Sequence, residues 1–104
     1  MGVVPVTDLL KMPSGRRVRI SGIVTHRQRP ETASGVMFLS VEDETGISNL
    51  IVWPRIQQEQ RLPVFAARMV VVEGTLQNES GVIHEVAERV RDYSHWLGAS
   101  RDFH

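Results

Sequence analysis

Three basic side chains crowd the segment VTHRQRP (Val24–Pro30), where His26, Arg27 and Arg29 stand between an apolar run and a proline. A guanidinium grips phosphate through a planar fork of donors, and an imidazole can stack on a base or hydrogen-bond to it. Farther along, Phe38 in VMFLSVED supplies a flat ring, and Asn49 in GISNLIVW supplies an amide that both donates and accepts. Rings, amides and cations in this combination are the parts of a surface that holds single-stranded nucleic acid by stacking and charge neutralisation. Each residue also has a plainer role: solvated loop for the arginines, core for Phe38, a wet strand face for Asn49.

The parts of an enzyme are missing from the sequence. It contains no nucleophile motif, no phosphate-cradling glycine loop and no paired acids at useful spacing, so a binding module is expected. The acidic run EDETG suggests a turn, because three consecutive residues at a strand end cannot all point at one ion. His84, His95 and His104 stand apart from one another, and there is no cysteine, so neither metal nor cofactor is expected.

At 104 residues, with 41% apolar and 23% charged residues, the chain suits one folded domain and excludes disorder, collagen and coiled coil. Its formal net charge is zero, yet of twelve basic residues only Lys11 is a lysine. No apolar stretch is long enough to span a membrane and no signal peptide is evident, so a cytoplasmic protein without a membrane partner is expected.

The elements that must position the candidate residues follow from the apolar pattern. RRVRISGIVT alternates as a first strand, interrupted by Gly22 as at a bulge or a barrel corner. VMFLSVED and ISNLIVW form a second and third strand around the EDETG turn. PRIQQEQRLPVF does not alternate, opens with a proline suited to a helix start, and is expected to form one short helix ending before Pro63. Two more strands, ARMVVVEGTLQ and GVIHEVAERV, flank the hairpin signal NESG.

Three strands, a helix and two strands, with a glycine kink in the first, is the pattern of the OB-fold. This is an all-β, five-stranded, partly open Greek-key barrel with one short helix between strands three and four. The barrel is expected over residues 16–92. Residues 1–15 form a lead-in with a helical turn capped by Thr7, and residues 93–104 form a tail rich in aromatics. In such a barrel VTHRQRP falls in the loop joining strands one and two, at the rim of the binding face. Phe38 lies opposite Met37, Leu39 and Val41 on its strand, and it faces outward if that trio fills the barrel. Trp53 can pack under the helix or extend the stacking platform, and the packing role is expected. Tyr93, Trp96 and Phe103 in the tail are candidates for docking a protein partner.

VTHRQRP, GVMFLSVEDETGISNLIVWP, VVVEGTLQ and VIHEVAERV together resemble the C-terminal OB domain of bacterial C-family DNA polymerases. The ending SRDFH is similar to that of the error-prone, damage-tolerant branch. The resemblance covers nearly all of the chain from about Leu9 onward and implies one domain of a much larger polymerase. In that family the catalytic carboxylates lie in the palm domain, so this segment is not expected to synthesise DNA. It implies a place near the single-stranded template, and so a role in holding that strand during DNA repair and translesion synthesis. The aromatic-then-EDETG pattern is shared with OB domains of aminoacyl-tRNA synthetases, in which the residues matching Phe38 and Asn49 stack and read a base. The alternative implied is a protein-interaction module docking accessory translesion proteins through the aromatic tail. A clamp-binding peptide is not visible.

Overall fold

The computed structural model describes residues 2–96, and in it the alternating segments become five strands. Along β1 (Arg17–Gln28), Val18 and Ile20 turn inward. They meet Met37, Leu39 and Val41 of β2 (Met37–Asp43), and Leu50 and Val52 of β3 (Gly46–Val52). β4 (Met69–Glu79) adds Val70, Val72 and Leu76, and β5 (Val82–Asp92) adds Ala87 and Val90. The strands close in the order β1-β2-β3-β5-β4, and β1 returns to β4. All pairs are antiparallel except β3 with β5. Closure satisfies the edges that an open sheet leaves unpaired.

β1 makes closure possible by serving two neighbours, pairing with β4 over Arg17–Ile23 and with β2 over Ile23–Gln28. Gly22 sits at the changeover. A Cβ there would lie 2.2 Å from the Glu42 carbonyl oxygen, so only glycine fits the corner. The hairpin between β4 and β5 turns through Ser80 and Gly81, with φ of 54° and 82°, as the NESG signal required.

EDETG is a turn organised by one carboxylate. Asp43 Oδ1 accepts from the Thr45 amide at 2.7 Å, the Thr45 hydroxyl at 2.6 Å and the Gly46 amide at 3.1 Å. Its Oδ2 accepts from the Val6 amide at 2.9 Å, tying the lead-in to the barrel. Partial burial works against the charge, but these hydrogen bonds outweigh it and hold the Asp43 carboxyl below its ordinary range. The lead-in is a 3₁₀ turn, Val6–Lys11, preceded by Pro5 without a side-chain cap; Val6 and Leu9 anchor it to the core.

The helical segment differs from the single helix expected. It consists of α1 (Pro54–Glu59) and α2 (Arg61–Ala66), broken at Gln60, and it runs past Pro63. Pro63 is tolerated because it lies in the first turn of α2, where an amide has no intrahelical acceptor. Ile56 and Val64 plug the barrel end. Gln60 pins the break to β5, donating to the Glu88 carbonyl at 3.1 Å and accepting from the Val90 amide at 2.5 Å.

One core position is acidic. Glu85 is 0% exposed, and neither carboxyl oxygen has a hydrogen-bond partner among the described residues. Burial, reinforced by the nearby Glu88 charge, pushes its pKa up to about 9. Gly74 makes room for it, since a Cβ there would stand 2.9 Å from Glu85 Oε1.

Candidate nucleic-acid interface

The outer face of β1, β2 and β3 collects most of the candidate residues, and a bulge decides which. Pairing of β1 with β2 runs Val24 to Val41 and then His26 to Ser40, leaving Thr25 without a partner. Unbroken alternation from Val18 would have turned His26 in and Arg27 out. The extra residue reverses both. Since residues directly opposite one another share a face, His26, Ser40 and Asn49 form one outward row, and Gln28, Phe38 and Ile51 form the next. Val86 of β5 continues the second row beside Ile51.

Phe38 therefore faces outward, half-buried, while Met37, Leu39 and Val41 fill the barrel. Asn49 is exposed opposite Ser40. His26 is exposed on the same row, with its Nδ1 3.1 Å from the Thr25 hydroxyl. The face is electrically lopsided: Glu42 and Glu44 lie at the EDETG end, and Arg29 lies beyond the end of β1 at the other.

VTHRQRP is only partly the loop expected. β1 continues through Gln28, so His26 and Arg27 are strand residues and only Arg29 and Pro30 enter the connection. Arg27 does not reach outward to phosphate. Its guanidinium is half-buried at the end of α2, donating from Nε to the Val64 carbonyl at 2.8 Å and from Nη2 to the Ala67 carbonyl. Desolvation lowers its pKa, with Asp92 partly offsetting the shift, but an arginine so placed stays charged and complements the carbonyl end of the helix. Arg29 is exposed, with its guanidinium carbon 5.9 Å from the ring centroid of Phe65 on α2. The two arginines thus divide the work, one holding the helix and one standing at the rim.

Trp53 also departs from expectation. It does not pack under the helix: it is 47% exposed, and its extended backbone (φ −73°, ψ 157°) carries the outward alternation of β3 one step past Ile51. Gln28 was overlooked in the sequence, although it follows His26 at strand spacing.

In the tail, the Tyr93 amide donates to the Met69 carbonyl at 2.8 Å, and Ser94 accepts from the Arg68 amide at 2.8 Å. Tyr93 stacks on His95 with centroids 5.7 Å apart, and His95 leads on to Trp96 at 6.1 Å. Trp96 is 58% exposed. Phe103 lies outside the described residues. Among those residues no group of three acidic or histidine side chains is placed to hold a metal ion, and no helix is long and apolar enough to cross a membrane.

A closed five-stranded barrel with this strand order and an outward-facing, half-buried ring on β2 defines a class. Residues 18–93 match the model of the OB-fold nucleic acid binding domain, and the chain belongs to that family. Within it the chain is similar to bacterial error-prone DNA polymerases. It is 47% identical over 100 residues to error-prone DNA polymerase 1 of Rhizobium meliloti (strain 1021), covering 96% of this chain and 9% of that protein. It is 48% identical over 101 residues to the error-prone DNA polymerase of Pseudomonas paraeruginosa (strain DSM 24068 / PA7), covering 93% and 10%. The chain thus spans about a tenth of the length of these relatives. Among solved structures, asparaginyl-tRNA synthetase from Pyrococcus horikoshii superposes with a TM-score of 0.74 at 21% identity, over 89% of this chain and 22% of that one. The hypothetical protein ygiW from E. coli gives 0.66 at 12% identity, over 88% and 89%. At these identities the structural likeness speaks for the fold alone.

Proposed function

We propose that this domain holds single-stranded DNA on the outer face of β1, β2 and β3, as part of a longer error-prone polymerase acting in DNA repair and translesion synthesis. The observation that carries this reading is the pair of outward rows, which bring His26, Asn49 and Phe38 onto one surface of an OB-fold. Phe38 stacks a base, Asn49 and His26 offer hydrogen bonds to base edges, and Arg29 meets a phosphate at the rim. Nucleotide addition belongs to the rest of the polymerase chain, as the resemblance implies.

The test is fluorescence anisotropy of a labelled single-stranded oligonucleotide titrated with the domain at low salt, with duplex DNA as control. Wild type is expected to prefer the single strand. Phe38→Ala is expected to weaken binding by about 1–3 kcal/mol while leaving the far-UV spectrum unchanged. A folded Phe38→Ala protein that binds as well as wild type would falsify the assignment.

A second reading is supported by the aromatic run Tyr93, His95 and Trp96, which leaves Trp96 largely exposed. That run offers an accessory translesion protein an apolar anchor outside the DNA face. A chain ending at Ser94 keeps the Arg68 hydrogen bond and is expected to lose such a partner without losing DNA. Retention of the partner by the shortened chain would remove this reading.

A further inference from the structure

The outward alternation of β3 places Trp53 beside the ring already assigned to a base. We infer that Trp53 forms a second nucleobase-stacking subsite, one nucleotide along the strand from Phe38. This inference rests on the reading of the β1-β2-β3 face as the DNA surface and adds a ligand-binding position to it.

Phe38 pairs directly with Ile51, and Trp53 lies two residues beyond Ile51 on the same face, since Val52 between them is fully buried. Such diagonal neighbours stand about 7–8 Å apart. Main-chain contacts fix the backbone from which the indole projects. The Trp53 carbonyl accepts from the amides of Ile56 at 3.0 Å and Gln57 at 3.1 Å, and Pro54 restricts the backbone ahead of α1. Among the described residues the indole N–H has no hydrogen-bond partner and the ring has no aromatic neighbour. A tryptophan serving only the core would not leave 47% of its surface in water.

The spacing also selects the form of the ligand. Bases in a stacked helix rise about 3.4 Å per nucleotide, roughly half the distance between the two side chains. Adjacent bases can occupy Phe38 and Trp53 together only when the strand is unstacked and extended, with Ile51, which neighbours both rings, as the floor. The pair therefore discriminates against duplex DNA without reading sequence.

The sequence contains two tryptophans, so Trp96→Phe leaves Trp53 as the sole indole reporter in the full chain. This protein is titrated with a fluorescein-labelled dodecathymidylate for anisotropy, and separately with the unlabelled strand for tryptophan emission. The expected result is quenching of Trp53 emission that saturates with the anisotropy curve. A Trp53→Ala change is expected to lower affinity roughly 5- to 150-fold, and Trp53→Phe to restore most of it. Binding by anisotropy with unchanged Trp53 emission overturns the second subsite and leaves the assigned face intact. Absence of binding at low salt overturns the face itself, and the subsite with it. The emission readout needs no substitution at position 53, so it stands even if Trp53→Ala fails to fold.

Discussion

A buried acid without a hydrogen-bond partner among the described residues should make this barrel lose stability as the solution becomes more alkaline. Glu85 lies wholly inside, and its carboxyl titrates near pH 9 in the folded chain, against about 4.3 for an exposed glutamate. Between those values the unfolded chain has released a proton that the folded chain retains. The unfolded state is therefore favoured by up to about 1.4 kcal/mol for each pH unit gained. The contribution of Glu85 to stability is complete below about pH 4.3 and is lost progressively until the folded carboxyl ionises. From pH 5.5 to 7.5 the change is about 2.7 kcal/mol, a large part of the 5–15 kcal/mol typical of a domain. Glu85→Gln keeps the shape, removes the titration and is the control. Urea unfolding followed by far-UV circular dichroism at pH 5.5, 6.5 and 7.5 should show wild type falling relative to Glu85→Gln at each step. A difference between the two proteins that stays constant with pH would refute a neutral, unpartnered Glu85.

The two arginines of VTHRQRP should separate by assay. Arg27→Ala removes two hydrogen bonds to carbonyls of the α2 region and is expected to cost about 1–3 kcal/mol in urea unfolding. Arg29→Ala should leave stability within about 0.5 kcal/mol and lower the slope of log affinity against log salt by about 0.7, the loss of one phosphate contact. Asp43→Ala frees the Val6 amide and dismantles the EDETG turn, so thermal unfolding at pH 7 should show a loss of about 1–3 kcal/mol. Because the folded Asp43 carboxyl titrates below its ordinary range, its stabilisation should be present above about pH 4 and fade as the pH falls further. A loss that does not shrink on acidification would contradict the charged role.

The fold was legible wherever one residue of each pair was plainly apolar. On β2, Met37, Leu39 and Val41 formed one apolar side, but Phe38 left the choice of inner face open until the barrel was seen, whereas Gly22 marked the corner. The candidate face was half legible for a local reason. Nothing in VTHRQ distinguishes a bulged Thr25 from a paired one, yet that residue decides whether Arg27 lies on the outer face of the sheet or against a helix. The break at Gln60 was equally hidden, because it depends on hydrogen bonds to β5, distant in sequence. Glu85 was invisible because an acid in an alternating strand reads as solvent-facing, and only the room left by Gly74 lets it turn inward.

The double service of β1 also fixes when the barrel can form. Its first half has no sheet partner until the chain reaches β4, where Arg17 pairs with Thr75 and Ile23 with Met69. The β2–β3 and β4–β5 hairpins close over short turns within microseconds, whereas sealing the barrel waits on a contact spanning most of the domain. During synthesis, then, the backbone around Val18 and Ile20 stays unpaired with β4 until that strand clears the ribosome, and the core they share with β2 and β3 is sealed only then. The closure of the barrel is therefore the late step.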